Sequence, residues 1–532
     1  MSRYTSTSQV VRKPAVVSKS GIVAAQNRLA AEQGAKVLAR GGNAIDAAVT
    51  TAFALAASEP WMSGLGGGGS MLIYLAKEDR VRVIDFGMIA PAALDPADYP
   101  LSGGVASDLF PWPAVVEDRN LLGAKSIAIP GAVDGLGKAL EAYGTIAWRD
   151  AIQPAIDLAE SGLSIDWFSA LVIASSARDL SRFPSSAGVY LDSGFPPSPT
   201  WHAVGRAPTR ELTGLAGTLK RLAEHGPREF YEGALAKGIA KDVQDAGGYL
   251  SEADLAGYQA RDLEPLVQDY RGAKVYVPPE LNGGPTMLKA FAEISEHNFD
   301  QEGPDANTYV AYAEALLKVY EERLATLGDA DEARGDSCTT HLSAVDAEGN
   351  MVTLTTTLLS IFGSKLVLPA SGILMNNGIM WFDPRSGHPN SLRPSKRCLA
   401  NYSPTILQDD WGRVALGASG GRKIFPAIFQ ILSYIKDYGM TLDEAMHQAR
   451  IDVSGTERVV IDAALPQAVR SGLARRFDTA ETSREVFPLA FACPSAVLRR
   501  GDENQGSSEV MHPWSDAVSA ESCTQADSPV TG

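Results

Sequence analysis

Cysteine is scarce: Cys338, Cys398, Cys493 and Cys523 are the only four in 532 residues. They are too scattered for a disulfide scaffold or a paired-cysteine metal site, and a reducing compartment suits them. Positive charge is also short. The 47 Lys and Arg stand against 63 Asp and Glu, a formal net charge of −16, so no basic face is available for nucleic acid or an anionic membrane surface. No uncharged run of membrane-spanning length is apolar throughout. The opening Met1–Val10 lacks the charged-then-apolar order of a secretory leader. These absences imply a soluble, cytoplasmic protein with small ligands. What is abundant is core material: 45% of the residues are hydrophobic, which excludes disorder for most of the chain, and the length suggests roughly two to four domains.

From Ala24 an alanine-rich stretch reads as two helices hinged at Gly41-Gly42, with Asn43 and Asp46 near the second start and Pro60 at its end. A glycine run, Gly64 to Gly69, leads into strand-like Met71–Ala76 and a second strand ending at Phe86. Residues 130–165 and 210–260 are mainly helical in pattern, and Ala273–Pro279 is extended. From Thr339 the texture changes to alternating apolar and polar residues around an Ala347–Asn350 turn, a hairpin. Strands are also expected at Ser371–Asn377 and Arg413–Ser419, followed by helices. Residues from about 519 onward read as an unstructured tail.

Three motifs compete for chemistry. Gly64 to Gly69 fits G-x-G-x-x-G, but a helix precedes it and a strand follows, the reverse of a dinucleotide site, so a close-packed glycine loop is the better reading. Gly417-Ala-Ser419-Gly420-Gly421 fits G-x-S-x-G between a strand and a helix. Ser419 would attack there, with His447 or His512 as base and Asp443 or Asp452 as orienter. The same glycines without the serine could instead supply backbone N–H groups to an oxyanion. The third motif is Asp336-Ser-Cys338-Thr339-Thr340-His341. A cut before Thr339 would give that residue both a hydroxyl and a free amine, nucleophile and base in one.

Taken together, GGNAIDAA (Gly41–Ala48), SGLGGGG (Ser63–Gly69), IPGAVDGL (Ile129–Leu136), CTTHLSAVDAEGNMV (Cys338–Val352), SGILMNN and SPTIL (Ser403–Leu407) resemble the gamma-glutamyltransferase (glutathione hydrolase) family, in family order over roughly residues 15 to 460. The resemblance implies an α+β fold, the four-layer αββα sandwich of the N-terminal nucleophile hydrolases. It implies a precursor cut between Cys338 and Thr339 into a large subunit, 1–338, and a small one, 339–532. Thr339 would form an acyl-enzyme, Thr357 would hold its hydroxyl, and Gly420 and Gly421 would bind the oxyanion, with no metal or cofactor.

The glutamyl pocket departs from the family pattern. Where the family has an arginine in an Asp-Phe-Arg-Glu segment and two adjacent serines, this chain has Asp85-Phe86-Gly87-Met88 and Ala400-Asn401. The positions that would hold the α-amino group carry Leu359, Gly378 and Trp381, the last two beyond the Asn376-Asn377 pair, and the expected substrate pocket is Gly87, Leu359, Asn377, Gly378, Trp381 and Asn401. Arg393, Lys396, Arg397 and Arg422 flank the site as candidate replacement cations. The segment between Tyr320 and Thr339 is also shorter than is usual. The expected activity is therefore hydrolysis of an amide other than glutathione, such as a small acid amide like oxamate or an acyl side-chain amide. Gamma-glutamyl transfer or glutathione hydrolysis, the Ser419 hydrolase, and a non-catalytic binding relic are the alternatives.

Overall fold

Two seven-stranded antiparallel sheets lie face to face. In a computed structural model, residues 11–105, 112–199, 207–299, 302–327, 338–454, 458–487 and 489–526 are described. The opening segment read for a leader, and Asp336 and Ser337 of the threonine motif, fall outside them. One sheet runs in the order Asp516–Ser519, Gly21–Ala25, Cys338–Asp346, Met351–Leu359, Gly68–Leu75, Arg80–Phe86, Arg261–Leu263. The other runs Val16–Ser18, Glu503–Ser508, Cys493–Arg500, Gly412–Ser419, Thr405–Asp409, Ala273–Val277, Leu266–Tyr270.

The pleat assigns the two faces of the hairpin. Leu342, Ala344, Val352 and Leu354 point to a core shared with helices Arg28–Ala39, Ala44–Ser58 and Ala132–Tyr143. Val345 and Met351 point the other way, to Ile406, Ala415 and Val497 of the facing sheet. Helices Gly284–Ile294, Ala306–Leu327 and Ile424–Tyr438 cover the second sheet's outer face. The result is helix, sheet, sheet, helix, four layers. Both sheets mix strands from before and after Thr339, so the two expected subunits interleave. The multi-domain reading of the length is corrected, because no strand order separates the halves.

Local chemistry explains the elements. Asn43 Oδ1 accepts from Ile45 N and Asp46 N, and Asp46 Oδ2 accepts from Asn43 N, a capping box that starts helix Ala44–Ser58. Every residue of that helix is buried, which its alanine content permits. None of the described helices is long and apolar enough to cross a membrane. Two expectations fail. Ser371–Asn377 is not a strand but a loop with isolated bridges at Leu374 and Met375, because its backbone groups bond to several separate segments, Leu366 and Leu368, Gly66 and Leu358, and not to one continuous neighbouring strand. The tail does not begin near 519: strand Asp516–Ser519 pairs with Gly21–Ala25 and helix Ala520–Ala526 follows, with Cys523 buried against the alanine-rich core.

Candidate active site

An irregularity in the hairpin brings Thr339 and Thr357 together. Cys338 is opposite Leu359 and Thr340 is opposite Thr356, so Thr339 faces two residues, Thr357 and Leu358, across a bulge. Thr339 Oγ1 and Thr357 Oγ1 lie 3.2 Å apart. Leu359 then adopts φ +86°, an uncommon conformation for a residue with a side chain. That reversal turns its N–H back onto Thr357 Oγ1 at 2.8 Å.

Behind Thr357 the glycine run approaches as bare backbone. A Cβ on Gly67 would lie 2.4 Å from the Thr357 carbonyl oxygen, so the run is packing surface, with no helix start to hold a phosphate. Gly420 and Gly421, at φ +131° and +55°, turn the chain from strand Gly412–Ser419 toward helix Ile424–Tyr438. A Cβ on Gly420 would meet Ala492 Cα at 2.9 Å. The Tyr320 hydroxyl donates to the Arg422 carbonyl and ties this turn to helix Ala306–Leu327.

The serine alternative is not assembled. Ser419 is buried opposite Cys493. His447 contacts the Asp443 carbonyl through Nδ1 and accepts from Lys13 N through Nε2. His512 lies instead beside Glu59, Nε2 to Oε1 3.7 Å, and Asp452 accepts from Ser454.

Two buried groups near Thr339, His341 and Glu59, were given no role from the sequence. His341 shares its strand face, but the ring is enclosed: Nδ1 meets Thr355 Oγ1 at 2.9 Å, and Nε2 meets Ser343 Oγ and Thr353 Oγ1 at 3.0 and 3.2 Å. Gly417 provides the space for it. Burial drives its pKa down to about 3, so the ring is neutral. On the opposite strand face, Thr340 Oγ1 donates to Glu59 Oε2 at 3.4 Å. Burial pushes the Glu59 carboxyl well up and His512 down to about 3. A lone carboxylate just before Pro60, at the end of an apolar helix, was the available hint for Glu59.

The candidate pocket residues divide. Leu359, Trp381 and Ala400 share a buried cluster with Met88 and Tyr402. A Cβ on Gly87 would meet Tyr402 Oη at 3.1 Å and Asp85 Oδ1 at 3.3 Å. Arg397 reaches this spot but donates to Gly87 O at 3.2 Å and pairs with Asp85 at 3.4 Å. Lys396 is held by the Pro389 and Ser391 carbonyls, Arg393 is exposed, and the Arg422 guanidinium is buried. Asn377 as a substrate contact is corrected. Its Nδ2 donates to Leu121 O and Ser360 Oγ and its Oδ1 accepts from Ser360 N, so the amide braces the loop after Thr357 and has no donor to spare. Gly378 is likewise structural, its N–H donating to Asn376 Oδ1. Asn401 keeps a free donor, and Arg323, unremarked in the sequence, stands behind it.

The gamma-glutamyltranspeptidase family model matches residues 30–338 and 330–511. The glutathione hydrolase proenzyme of Bacillus subtilis (strain 168) is 30% identical over 522 aligned residues, covering 87% of this chain and 86% of that protein. The acylase ACY 1 proenzyme of Pseudomonas sp. (strain SE83) is 32% identical over 504, covering 87% and 88%. Cephalosporin acylase from Bacillus halodurans superposes with a TM-score of 0.84 at 23% identity, covering 98% and 99%, which shows the shared N-terminal nucleophile hydrolase fold. With sequence and fold in agreement across its length, the chain belongs to the gamma-glutamyltranspeptidase family of hydrolases and transferases.

Proposed function

We propose that this chain is a precursor that cuts itself between Cys338 and Thr339, and that Thr339, as the first residue of the 339–532 subunit, hydrolyses an amide other than glutathione. The observation that carries this reading is the Thr339–Thr357 hydroxyl pair, 3.2 Å apart at a strand bulge. In processing, Thr339 Oγ1 attacks the Cys338 carbonyl carbon and the C–N bond breaks as its nitrogen takes the hydroxyl proton. Water then hydrolyses the ester and leaves a free amine on Thr339. In turnover that amine takes the hydroxyl proton while Oγ1 bonds the substrate carbonyl carbon, then passes it to the departing amine. Water releases the acid and restores the hydroxyl. Thr357 orients Oγ1, and the Gly420 and Gly421 N–H groups hold the oxyanion.

The substrate side follows from the missing contacts. Gly87, Leu359 and Gly378 offer no side-chain hydrogen bond to a zwitterionic glutamyl head, and each lost charge-assisted bond forfeits about 1.5–3 kcal/mol. Glutathione hydrolysis is the second reading, favoured by the name of the Bacillus subtilis relative. A denaturing gel and N-terminal sequencing test the cut: two fragments, the smaller beginning at Thr339, are expected, and both they and turnover vanish in Thr339→Ala. One uncut band from active protein, or a small fragment beginning elsewhere, overturns the reading. Glutathione turnover exceeding that of oxamate, glutaryl and acyl side-chain amides selects the second.

A further inference from the structure

Glu59 is a fully buried carboxyl set beneath the first residues of the expected small subunit. It closes helix Ala44–Ser58, its N–H donating to Leu55 O at 2.9 Å, at the pole of the helix that disfavours an anion. Oε2 accepts from Thr340 Oγ1 at 3.4 Å. Oε1 has no hydrogen-bond partner among the described residues and lies 3.7 Å from Nε2 of His512, whose Nδ1 is equally without one. The other titratable groups around the pair are engaged elsewhere. The Lys13 ammonium donates to the Glu509, His512 and Ser515 carbonyls, Glu509 pairs with Arg450, and burial keeps the Cys493 thiol protonated. A buried carboxyl with so little compensation is costly to keep.

The turn that carries Glu59 touches both strands of the hairpin beside the two threonines. Its side chain meets Thr340, the residue after Thr339, on one strand. Its backbone continues to Met62, whose N–H donates to Glu59 O at 3.1 Å and whose carbonyl accepts from Leu358 N, the residue after Thr357, at 3.2 Å. Trp61 O accepts from Phe362 N at 2.9 Å. One short segment of the large subunit therefore clamps both halves of the Thr339–Thr357 pair, and His512 of the small subunit closes over it, its ring edge-on to Phe168 with centroids 5.0 Å apart.

We infer that Glu59 is a positioning residue for Thr339: from the large subunit it holds Thr340, and through it the chain end that the cut creates, against Thr357. The inference rests on Thr339 being the nucleophile of the proposed function. Before the cut Thr339 is held by chain on both sides. Afterwards the bond to Cys338 is gone, and with it the pairing of Cys338 opposite Leu359. Chain ends fray unless tied down, and a frayed end would carry both Oγ1 and the new amine away from Thr357. Thr340, paired with Thr356 and held by Glu59, is the anchor next to that end. Burial keeps the carboxyl uncharged, so the clamp adds no anion that would hold the new amine as ammonium and spoil it as a base.

The test uses the mature two-subunit enzyme and whichever amide of the oxamate, glutaryl and acyl side-chain panel wild type turns over fastest. Glu59→Leu and Thr340→Val should each lower kcat about 10-fold, the worth of one hydrogen bond, with KM within about twofold of wild type because neither side chain meets substrate. The double variant should also fall about 10-fold rather than about 100-fold, since both changes break the same contact. Glu59→Gln, which still accepts from Thr340, and Thr340→Ser, which still donates, should recover most of the loss. Appearance of both subunits on a gel reports that a variant folds; if Glu59→Leu does not mature, Thr340→Val against Thr340→Ser decides. Losses that multiply in the double variant, a change confined to KM, or equal kcat in Thr340→Val and Thr340→Ser overturns the inference while leaving the nucleophile intact. Turnover by Thr339→Ala would instead bring down the reading beneath it.

Discussion

His341 gives a pH-dependent stability that can be calculated from its surroundings. The unfolded chain binds a proton on this ring near pH 6.5, whereas burial holds the folded value at about 3. A depressed folded value means the contribution is complete above about 6.5 and is lost as pH falls toward 3. Between pH 7 and pH 5 the unfolded state gains a proton that the folded state refuses, which costs about 2 kcal/mol for this one residue. The perturbation is His341→Gln, which cannot titrate, placed in the uncut Thr339→Ala chain so that a single polypeptide unfolds. Urea unfolding would be followed by fluorescence and circular dichroism, whose coincidence checks two-state behaviour. At pH 7 the variant should be the less stable, because Thr353 and Thr355 lose their ring partner. That gap should shrink by about 2 kcal/mol at pH 5. A gap independent of pH would refute the neutral, sealed ring. Both nitrogens are engaged with hydroxyls, so the activity profile of the mature enzyme should show no His341 titration.

Thr357→Val keeps the shape but removes the oxygen that meets Thr339 and accepts from Leu359 N; kcat should fall about 10- to 100-fold with glutaryl anilide. Gly417→Ala would place a Cβ 2.3 to 2.8 Å from three atoms of the His341 ring, and such overpacking should cost about 1–3 kcal/mol, read as a lower melting temperature. Arg450 and Glu509 form an ion pair at 3.1 Å with both side chains almost fully buried. Arg450→Met alone should cost about 3–5 kcal/mol by stranding the carboxylate, and adding Glu509→Leu should recover much of it; equal losses in the single and double variants would contradict this.

The sites with local signatures were legible in the chain. Asn43 and Asp46 mark a helix start, because a capping box is made by residues three apart. Thr339 to Asn350 shows a hairpin, because alternation on a pleat has period two. The glycines at 420 and 421 mark a turn, because only glycine adopts those backbone angles cheaply. Asn377, by contrast, looked available for substrate, and its surroundings consumed it: Leu121 and Ser360 both take its donors. The loop at 371–377 looked like a strand because its side chains are apolar, yet Asn376 bridges Gly66 and Ala128 instead of pairing in a ladder.

By itself the sequence determined most of the elements, though not the loop at 371–377 or the end of the chain, together with the order of the motifs and the chemical types at the candidate site, since each depends on neighbours a few residues away. Tertiary structure alone decided which hydroxyl meets Thr339, which amide stays unpaired and which cation stands behind it. A bulge of one residue places Thr357 Oγ1 rather than a neighbouring side chain against Thr339, and Arg323 reaches Asn401, 78 positions further along the chain. Register and long-range packing set those directions, and neither leaves a periodic trace in the chain.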